Sequence, residues 1–314
     1  MSKIITVTPN PALDLTMHAK GWQRGVVNRG QSMDVTPGGK GLTVAINLAM
    51  VGVPCTVTGW MGQNNDGHFC REFNKNGLED QFVRVPGDVR RNIKIVDESN
   101  GETTDINMPG HSVSEAARTL LIELIDAMVD EETILVYGGS LPPDLEKSYY
   151  ADMVKRYHDR TRAVVVDTSD EALDELMKAD ILPQVIKPNI HELENLVGRT
   201  LESDADIIAE ARRFIDKGVE LAVVSLGSRG AWFVRKDEAL HAQPPKVKVA
   251  STVGAGDAMV AGIVRGIMFG RTLEEIARTS TSYSVANIKK VGISLPSIAE
   301  IEEIKAKVVI THQA

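Results

Sequence analysis

The amino-acid order predicts an α/β protein of three layers, a mainly parallel sheet flanked by helices on both faces, with a small β-sheet lid. Three observations predict it. Short β-branched runs alternate with amphipathic segments of helix length along most of the chain. From residue 133 onward those runs are nearly continuous in apolar residues, as strands buried on both faces must be. Two stretches, about 12–36 and 81–110, break the alternation and lack a helical period.

The predicted strands are Ile4 to Thr8, Cys55 to Trp60, Thr133 to Tyr137, Ala163 to Asp167, Gln184 to Ile186 and Leu221 to Ser225. Helices are predicted near 39–51, 65–76, 114–129, 146–158, 170–178 and 204–217, with a further buried helix after Asp257. In the second irregular stretch, Phe82 to Val85, Asn92 to Val96 and Thr103 to Asn107 read as short strands around the turn Glu98-Ser99-Asn100-Gly101. Together with 12–36 they form the expected lid. A sheet that small needs a second surface to cover it, either a loaded site or the same sheet of another subunit. No repeat or linker divides the chain, so 1–314 is expected to be one domain.

Composition narrows the function. With 314 residues, 43% hydrophobic and 25% charged, the chain can bury a large core. A formal net charge of −8 argues against nucleic acid as a partner. Cys55 and Cys70 have neither disulfide-framework nor zinc spacing, which fits a reducing cytoplasm. No long apolar h-region opens the sequence, and no run long enough to span a membrane occurs in it, so a cytoplasmic protein is expected.

Chemistry concentrates in Ser251-Thr252-Val253-Gly254-Ala255-Gly256-Asp257 and the apolar run that follows. A glycine-rich turn opening a helix points N–H groups and the positive end of the helix dipole at one place, which suits an anion. An acid beside that anion site is electrostatically awkward unless it takes a proton from an attacking hydroxyl. Asp257 as a plain helix cap is the competing reading. A second glycine signal, Pro37-Gly38-Gly39-Lys40-Gly41, places a cation at a helix start, where an anionic ligand would justify it. It matches neither the P-loop nor GxGxxG.

Lys187-Pro188-Asn189-Ile190-His191-Glu192 has capping-box spacing from Asn189 to Glu192, and the same residues suit a phosphate and a water-mediated Mg²⁺. Ser225-Leu226-Gly227-Ser228-Arg229-Gly230 and Gly138-Gly139-Ser140-Leu141-Pro142 each close a strand at the predicted site edge. Asp14, and Arg90, Arg91 and Asn92 in the lid, read equally as turn and edge residues.

Six motifs in order, Asn10-Pro11-x-x-Asp14, Gly38-Gly39-Lys40-Gly41, Gly139-Ser140-Leu141-Pro142, Lys187-Pro188-Asn189-x-x-Glu192, Ser225-Leu226-Gly227-x-x-Gly230 and Thr252 to Asp257, resemble the ribokinase-like, PfkB-type carbohydrate kinases over essentially the whole chain. The spacing Arg90-x-Asn92-x-Lys94 and Thr104-Asp105-x-Asn107 resembles the family's sugar-phosphate branch, and 1-phosphofructokinases most; Met108-Pro109-Gly110 is similar to the minor 6-phosphofructokinases, and tagatose-6-phosphate kinases belong to the same branch.

The resemblance implies ATP and Mg²⁺ as cofactors and phosphorylation of a ketohexose phosphate, fructose 1-phosphate to fructose 1,6-bisphosphate foremost. It implies Asp257 as the base, with N–H groups of Gly254, Ala255 and Gly256 stabilising the transferring phosphoryl group. Asp14, Gly39, Lys40, Arg90, Asn92, Asn107 and Ser140 would then bind the substrate. Lys187, Asn189, Ser225, Gly227, Gly230 and Gly256 would hold the nucleotide, and Glu192 the Mg²⁺ through water. A homodimer through the lid is expected.

One departure stands out. Thr43 replaces the asparagine of the family's Gly-Gly-Lys-Gly-x-Asn turn, and its hydroxyl cannot reproduce an amide's paired contacts. Asn47 lies a helical turn further on, roughly 6 Å along the axis, too far for a simple replacement. Gly138 stands where serine is common, a change expected to alter packing only. Thr43 leaves open a regulator that binds sugar phosphate without turnover, whereas a nicotinamide dehydrogenase lacks its GxGxxG after the first strand.

Overall fold

The computed structural model describes residues 2–290, 292, 295 and 297–313; Met1, Val291, Ile293, Ser294, Pro296 and Ala314 of the expected 1–314 unit lie outside the described residues. Strand β1 (Ile4–Thr8) leads into β2 (Ala12–Ala19) and β3 (Gly30–Gly38), then α1 (Lys40–Met50), β4 (Thr56–Gly62) and α2 (Gly67–Asn76). Next come β5 (Glu79–Asp80), β6 (Val83–Val85), β7 (Arg90–Asp97), β8 (Glu102–Ile106), α3 (Glu115–Met128), β9 (Ile134–Gly138), α4 (Tyr149–Tyr157) and β10 (Ala163–Asp167). The chain continues through α5 (Asp170–Lys178), β11 (Val185–Ile186), α6 (Ile190–Val197), α7 (Asp204–Asp216), β12 (Leu221–Ser225), β13 (Ala231–Val234) and β14 (Ala239–Gln243). It ends with α8 (Ala255–Met268), α9 (Leu273–Ile288), α10 (Ile298–Ala306) and β15 (Val309–Gln313).

The large sheet runs β15-β14-β13-β12-β11-β10-β9-β1-β4-β5, with β6 also on β4. From β12 to β4 every pairing is parallel, and β13, β14 and β15 add an antiparallel edge. Strand residues alternate between two apolar layers, which is why the runs show no polar face. Ile134, Val136, Val165 and Val223 meet α1, α2, α8, α9 and α10 through Leu42, Phe69, Val260, Ile276 and Ile301. Leu135, Tyr137, Val164 and Val224 meet α3, α4, α5, α6 and α7 through Leu121, Tyr150, Leu173, Leu193 and Ile207. The three-layer expectation is met.

A separate sheet of order β3-β2-β7-β8 is the predicted small sheet, with β2 and β7 parallel and the outer pairs antiparallel. The segment Phe82 to Val85 does not belong to it. Trp60, Met61 and Gly62 of β4 pair with Val83, Arg84 and Val85, so that stretch extends the large sheet because its Val83 and Val85 side chains enter the core. Among the described residues no helix is long and apolar enough to cross a membrane.

Helix α8 is held close to α9. A Cβ on Gly262 would stand 2.5 Å from Ser280 Cα, so only glycine permits this approach. That contact fixes the helix whose first turn carries Asp257.

Candidate active site

Parallel strands deliver their C-terminal ends to one edge, and the chemistry-bearing residues gather there as expected for this topology. Asp167 ends β10, Lys187 follows β11, Ser225 ends β12, and Gly138 ends β9. Asp167, Lys187 and Ser225, with the start of α1, the start of α6 and the first turn of α8, line a cavity of about 500 Å³. Lys40, Lys187, Asn189, Glu192, Ser225, Gly227, Gly254, Gly256 and Asp257 all line it, so the sequence-predicted nucleotide and catalytic residues converge, Gly230 and Ala255 excepted.

Gly254 takes the left-handed conformation, φ 78°, and starts α8. Ala255 N–H is already spent on Thr252 O at 3.3 Å, so it is not a free donor as expected. Gly256 and Asp257 follow in the first turn, where N–H groups have no helical acceptor. Lys187 Nζ would lie 3.4 Å from a Cβ on Gly256, which puts an ammonium against this turn.

Burial pushes the Asp257 carboxyl up to about 6 despite the pull of Lys40; the charge of Asp167 adds to the rise, while Lys187 and the Thr43 hydroxyl oppose it. An acid so placed is ionised at neutral pH yet retains basicity, as a proton acceptor should.

The residue that sequence reading passed over is Asp167. It is 2% exposed, with Oδ1 3.2 Å from Lys40 Nζ and 3.5 Å from Lys187 Nζ, while Oδ2 has no hydrogen-bond partner among the described residues. Burial opposes its ionisation, but the two lysines prevail and hold it below the usual carboxylate range. Its position as the polar end of an apolar strand was the available signal. Burial alone would lower the Lys40 ammonium, yet Asp167, Asp257 and Glu192 raise it above its ordinary value. Gly138 makes room for this arrangement, since a Cβ there would meet Gly41 N at 2.9 Å and Lys40 Cβ at 3.0 Å.

Both halves of the predicted capping box form: Asn189 N donates to Glu192 Oε2 at 2.8 Å and Glu192 N to Asn189 Oδ1 at 2.9 Å. Gly230 lies outside the cavity lining. Its φ of 93° and a Cβ position 2.0 Å from Ala242 O give it a structural reason to be glycine.

The remaining predicted substrate residues face the junction of the two sheets. Asp14 and Asn92 are register partners, and Asn92 Nδ2 donates to Asp14 Oδ1 at 3.0 Å while Lys94 Nζ lies 3.5 Å from Oδ2. Arg90 donates from Nη2 to Ser140 Oγ at 3.2 Å and to Asn10 O at 3.0 Å. Burial lowers the Arg90 guanidinium somewhat, against the attraction of Asp14. Gly39, φ 135°, starts α1 beside them. Asn107 stands apart: it is exposed beyond β8 and makes no side-chain hydrogen bond among the described residues. Thr43, 4% exposed, lies against the α8 turn, 3.7 Å from a Cβ position on Gly254. Asn47 turns back to donate to Thr43 O at 2.8 Å and replaces nothing.

The signature of the "pfkB family carbohydrate kinase" matches residues 8–300. The chain belongs to that family. It is 34% identical over 306 residues to a 1-phosphofructokinase of Vibrio cholerae, covering 98% of this chain and 96% of the relative. Phosphofructokinase-2 of Escherichia coli, solved in complex with substrates and products, superposes with a TM-score of 0.90 at 28% identity, over 97% of this chain and 98% of that one. A tetrameric inhibited form of that enzyme matches with a TM-score of 0.89 at 29% identity, over 98% and 99%. The pfkB chain described here is therefore a sugar-phosphate kinase with the ribokinase-like fold of these neighbours.

Proposed function

We propose that the protein transfers the γ-phosphoryl group of ATP to fructose 1-phosphate, giving fructose 1,6-bisphosphate. The observation that carries this reading is the placement of Asp257 and the Gly254-Gly256 turn in one cavity between Lys40 and Lys187. The acceptor hydroxyl gives its proton to Asp257 as its oxygen bonds to the γ-phosphorus, and the bond to the departing ADP oxygen breaks. N–H groups at the α8 start and Lys187 stabilise charge on the transferring group. Ser225 and Gly227 line the nucleotide side. Asp14, Asn92, Arg90 and Ser140 bind the acceptor, and the small sheet excludes water as a lid.

Magnesium suits the same cavity. Among the described residues no cluster of three or more His, Cys, Asp or Glu forms a metal cage. The capping box uses Glu192 Oε2 and leaves Oε1, and Asp167 Oδ2 is buried without a hydrogen-bond partner among the described residues. Magnesium is commonly held by one or two carboxylates, phosphates and water. Glu192, through water, and Asp167 would hold it, and bound there it neutralises charge on the phosphates.

Coupled assays with fructose 1-phosphate, fructose 6-phosphate and tagatose 6-phosphate test the reading. Fructose 1-phosphate is expected to give the highest kcat/KM. Turnover of another ketohexose phosphate in preference would replace the substrate. Binding without ADP release above the water background would favour the regulator. The small sheet presents Met33, 61% exposed, and Ile106, 47% exposed, which supports a dimer through this sheet. Sedimentation of Met33→Asp is expected to show a smaller species than wild type, and identical sedimentation counts against it.

A further inference from the structure

Asn10 lies where the chain leaves the large sheet for the small one, and it is 4% exposed. Its Nδ2 donates to Pro109 O at 3.0 Å and Leu141 O at 3.1 Å, and approaches Ser140 Oγ at 3.4 Å. Its main-chain carbonyl accepts from Arg90 Nη2 at 3.0 Å, a contact any side chain would keep, so the side-chain amide reaches Arg90 through Ser140 Oγ and the segment at Pro109. Arg90 Nη1 donates to Met108 O at 2.8 Å, so Asn10 and Arg90 both grip the segment that returns from β8. Gly110 makes the fit possible, since a Cβ there would stand 2.3 Å from Asn10 Oδ1. One amide thus ties together both passages into the small sheet and the loop after β9.

The consequence lies in the donors left over. Ser140 Oγ accepts from Arg90 and Asn10, so the hydroxyl's remaining capacity is to donate its own proton. Arg90 Nε is buried and has no partner among the described residues. An unspent O–H and an unspent guanidinium N–H therefore stand beside each other at the sheet junction. Arg90 Nε is a buried donor, costly to leave unpaired unless a ligand supplies the acceptor, and the exposed Ser140 hydroxyl is open to the same ligand. Asn10 has no charge to offer that ligand.

We propose that Asn10 is a positioning residue for the acceptor's phosphate: it fixes Arg90 and Ser140 in register across the two-sheet junction so that one phosphate meets both. This rests on the acceptor being a sugar phosphate, as proposed above. It differs from a merely structural clamp in that its effect must pass through Arg90 and spare the nucleotide.

Calorimetric binding to the full chain tests this without requiring turnover. Asn10→Asp keeps the shape but turns a carboxylate toward the Pro109 and Leu141 carbonyls, and Asn10→Ala removes the amide. Both are expected to weaken fructose 1-phosphate about tenfold or more, with ATP affinity within about twofold of wild type. In an Arg90→Ala background, Asn10→Ala is expected to add less than about twofold, because coupled residues are non-additive. Should neither single variant fold, Asn10→Ser retains one donor and is expected to bind fructose 1-phosphate with intermediate affinity.

Equal losses for ATP and fructose 1-phosphate, full additivity with Arg90→Ala, or wild-type acceptor affinity in any folded variant would overturn the assignment. Wild-type protein that binds fructose 1-phosphate but releases no ADP would sink the kinase reading and leave this comparison decisive. If wild type binds no sugar phosphate, both fall.

Discussion

Lys40 and Asp167 form an ion pair, Nζ to Oδ1 3.2 Å, in the wall of the cavity. The carboxylate also faces Lys187, so one buried anion sits between two ammonium groups. The pair is conditional on its setting. Asp167 offsets the repulsion between the two lysines, and their charges together outweigh the burial that opposes its ionisation.

Asp167→Asn should therefore do two things. Leaving two ammoniums without their anion is expected to destabilise the fold by on the order of 1–3 kcal/mol, discounted because Lys40 is partly exposed. Asp167 is also one of the charges that hold Asp257 up, alongside burial and against Lys40, Lys187 and Thr43. Its neutralisation is expected to move the acid limb of the kcat/KM profile to lower pH. Thermal unfolding and a pH profile check both, and an unmoved limb would show that Asp167 does not act on the base.

Asp257→Asn is expected to lower kcat by roughly 10²- to 10⁴-fold, the scale of a general base, with ATP binding retained. In wild type, kcat/KM should rise with pH through about 6 as the carboxyl ionises. Stability should move the other way. An acid raised from 3.8 to about 6 binds a proton in the folded state across a window where the unfolded chain has lost it, so stability falls as pH rises through that window. Asn cannot ionise, so the variant should gain melting temperature relative to wild type at pH 7–8 and little at pH 4. Wild-type turnover would remove Asp257 from its role; an absent melting gain would count only against the cost of ionising its buried carboxyl.

The β1, β9, β10 and β12 cores were legible because strands buried on both faces leave an unbroken apolar run, and the buried layers are those runs. Residues 82–85 misled because a three-residue strand carries too little pattern to reveal which sheet it joins; its neighbour β4 decided that. Lys187, Asn189, Glu192 and Asp257 were legible through local motifs. Asp167 was not, because its partners lie 127 and 20 positions away along the chain. Asn10 was seen as a motif letter, but its three acceptors come from segments that only folding brings together.

Gly230→Ala separates structure from binding. A Cβ at φ 93° would press within 2.0 Å of Ala242 O, where β13 and β14 pair, so backbone must shift. Loss of about 1–3 kcal/mol of stability is expected, with KM for ATP in the folded fraction near wild type. A selective rise in that KM with unchanged melting would restore Gly230 to the nucleotide site.

Thr43→Val addresses the departure from the family's asparagine. Valine keeps the shape of threonine at a site 4% exposed, and removes the hydroxyl that helps pull the Asp257 carboxyl down. With that hydroxyl gone, the acid limb of kcat/KM should move to higher pH, opposite in sign to Asp167→Asn, while the rate at pH 8 stays within a few-fold of wild type. A residue whose only task was to contact the acceptor would instead raise KM for the sugar phosphate at every pH and leave the limb in place. The direction of the limb thus decides whether Thr43 serves the base or the substrate.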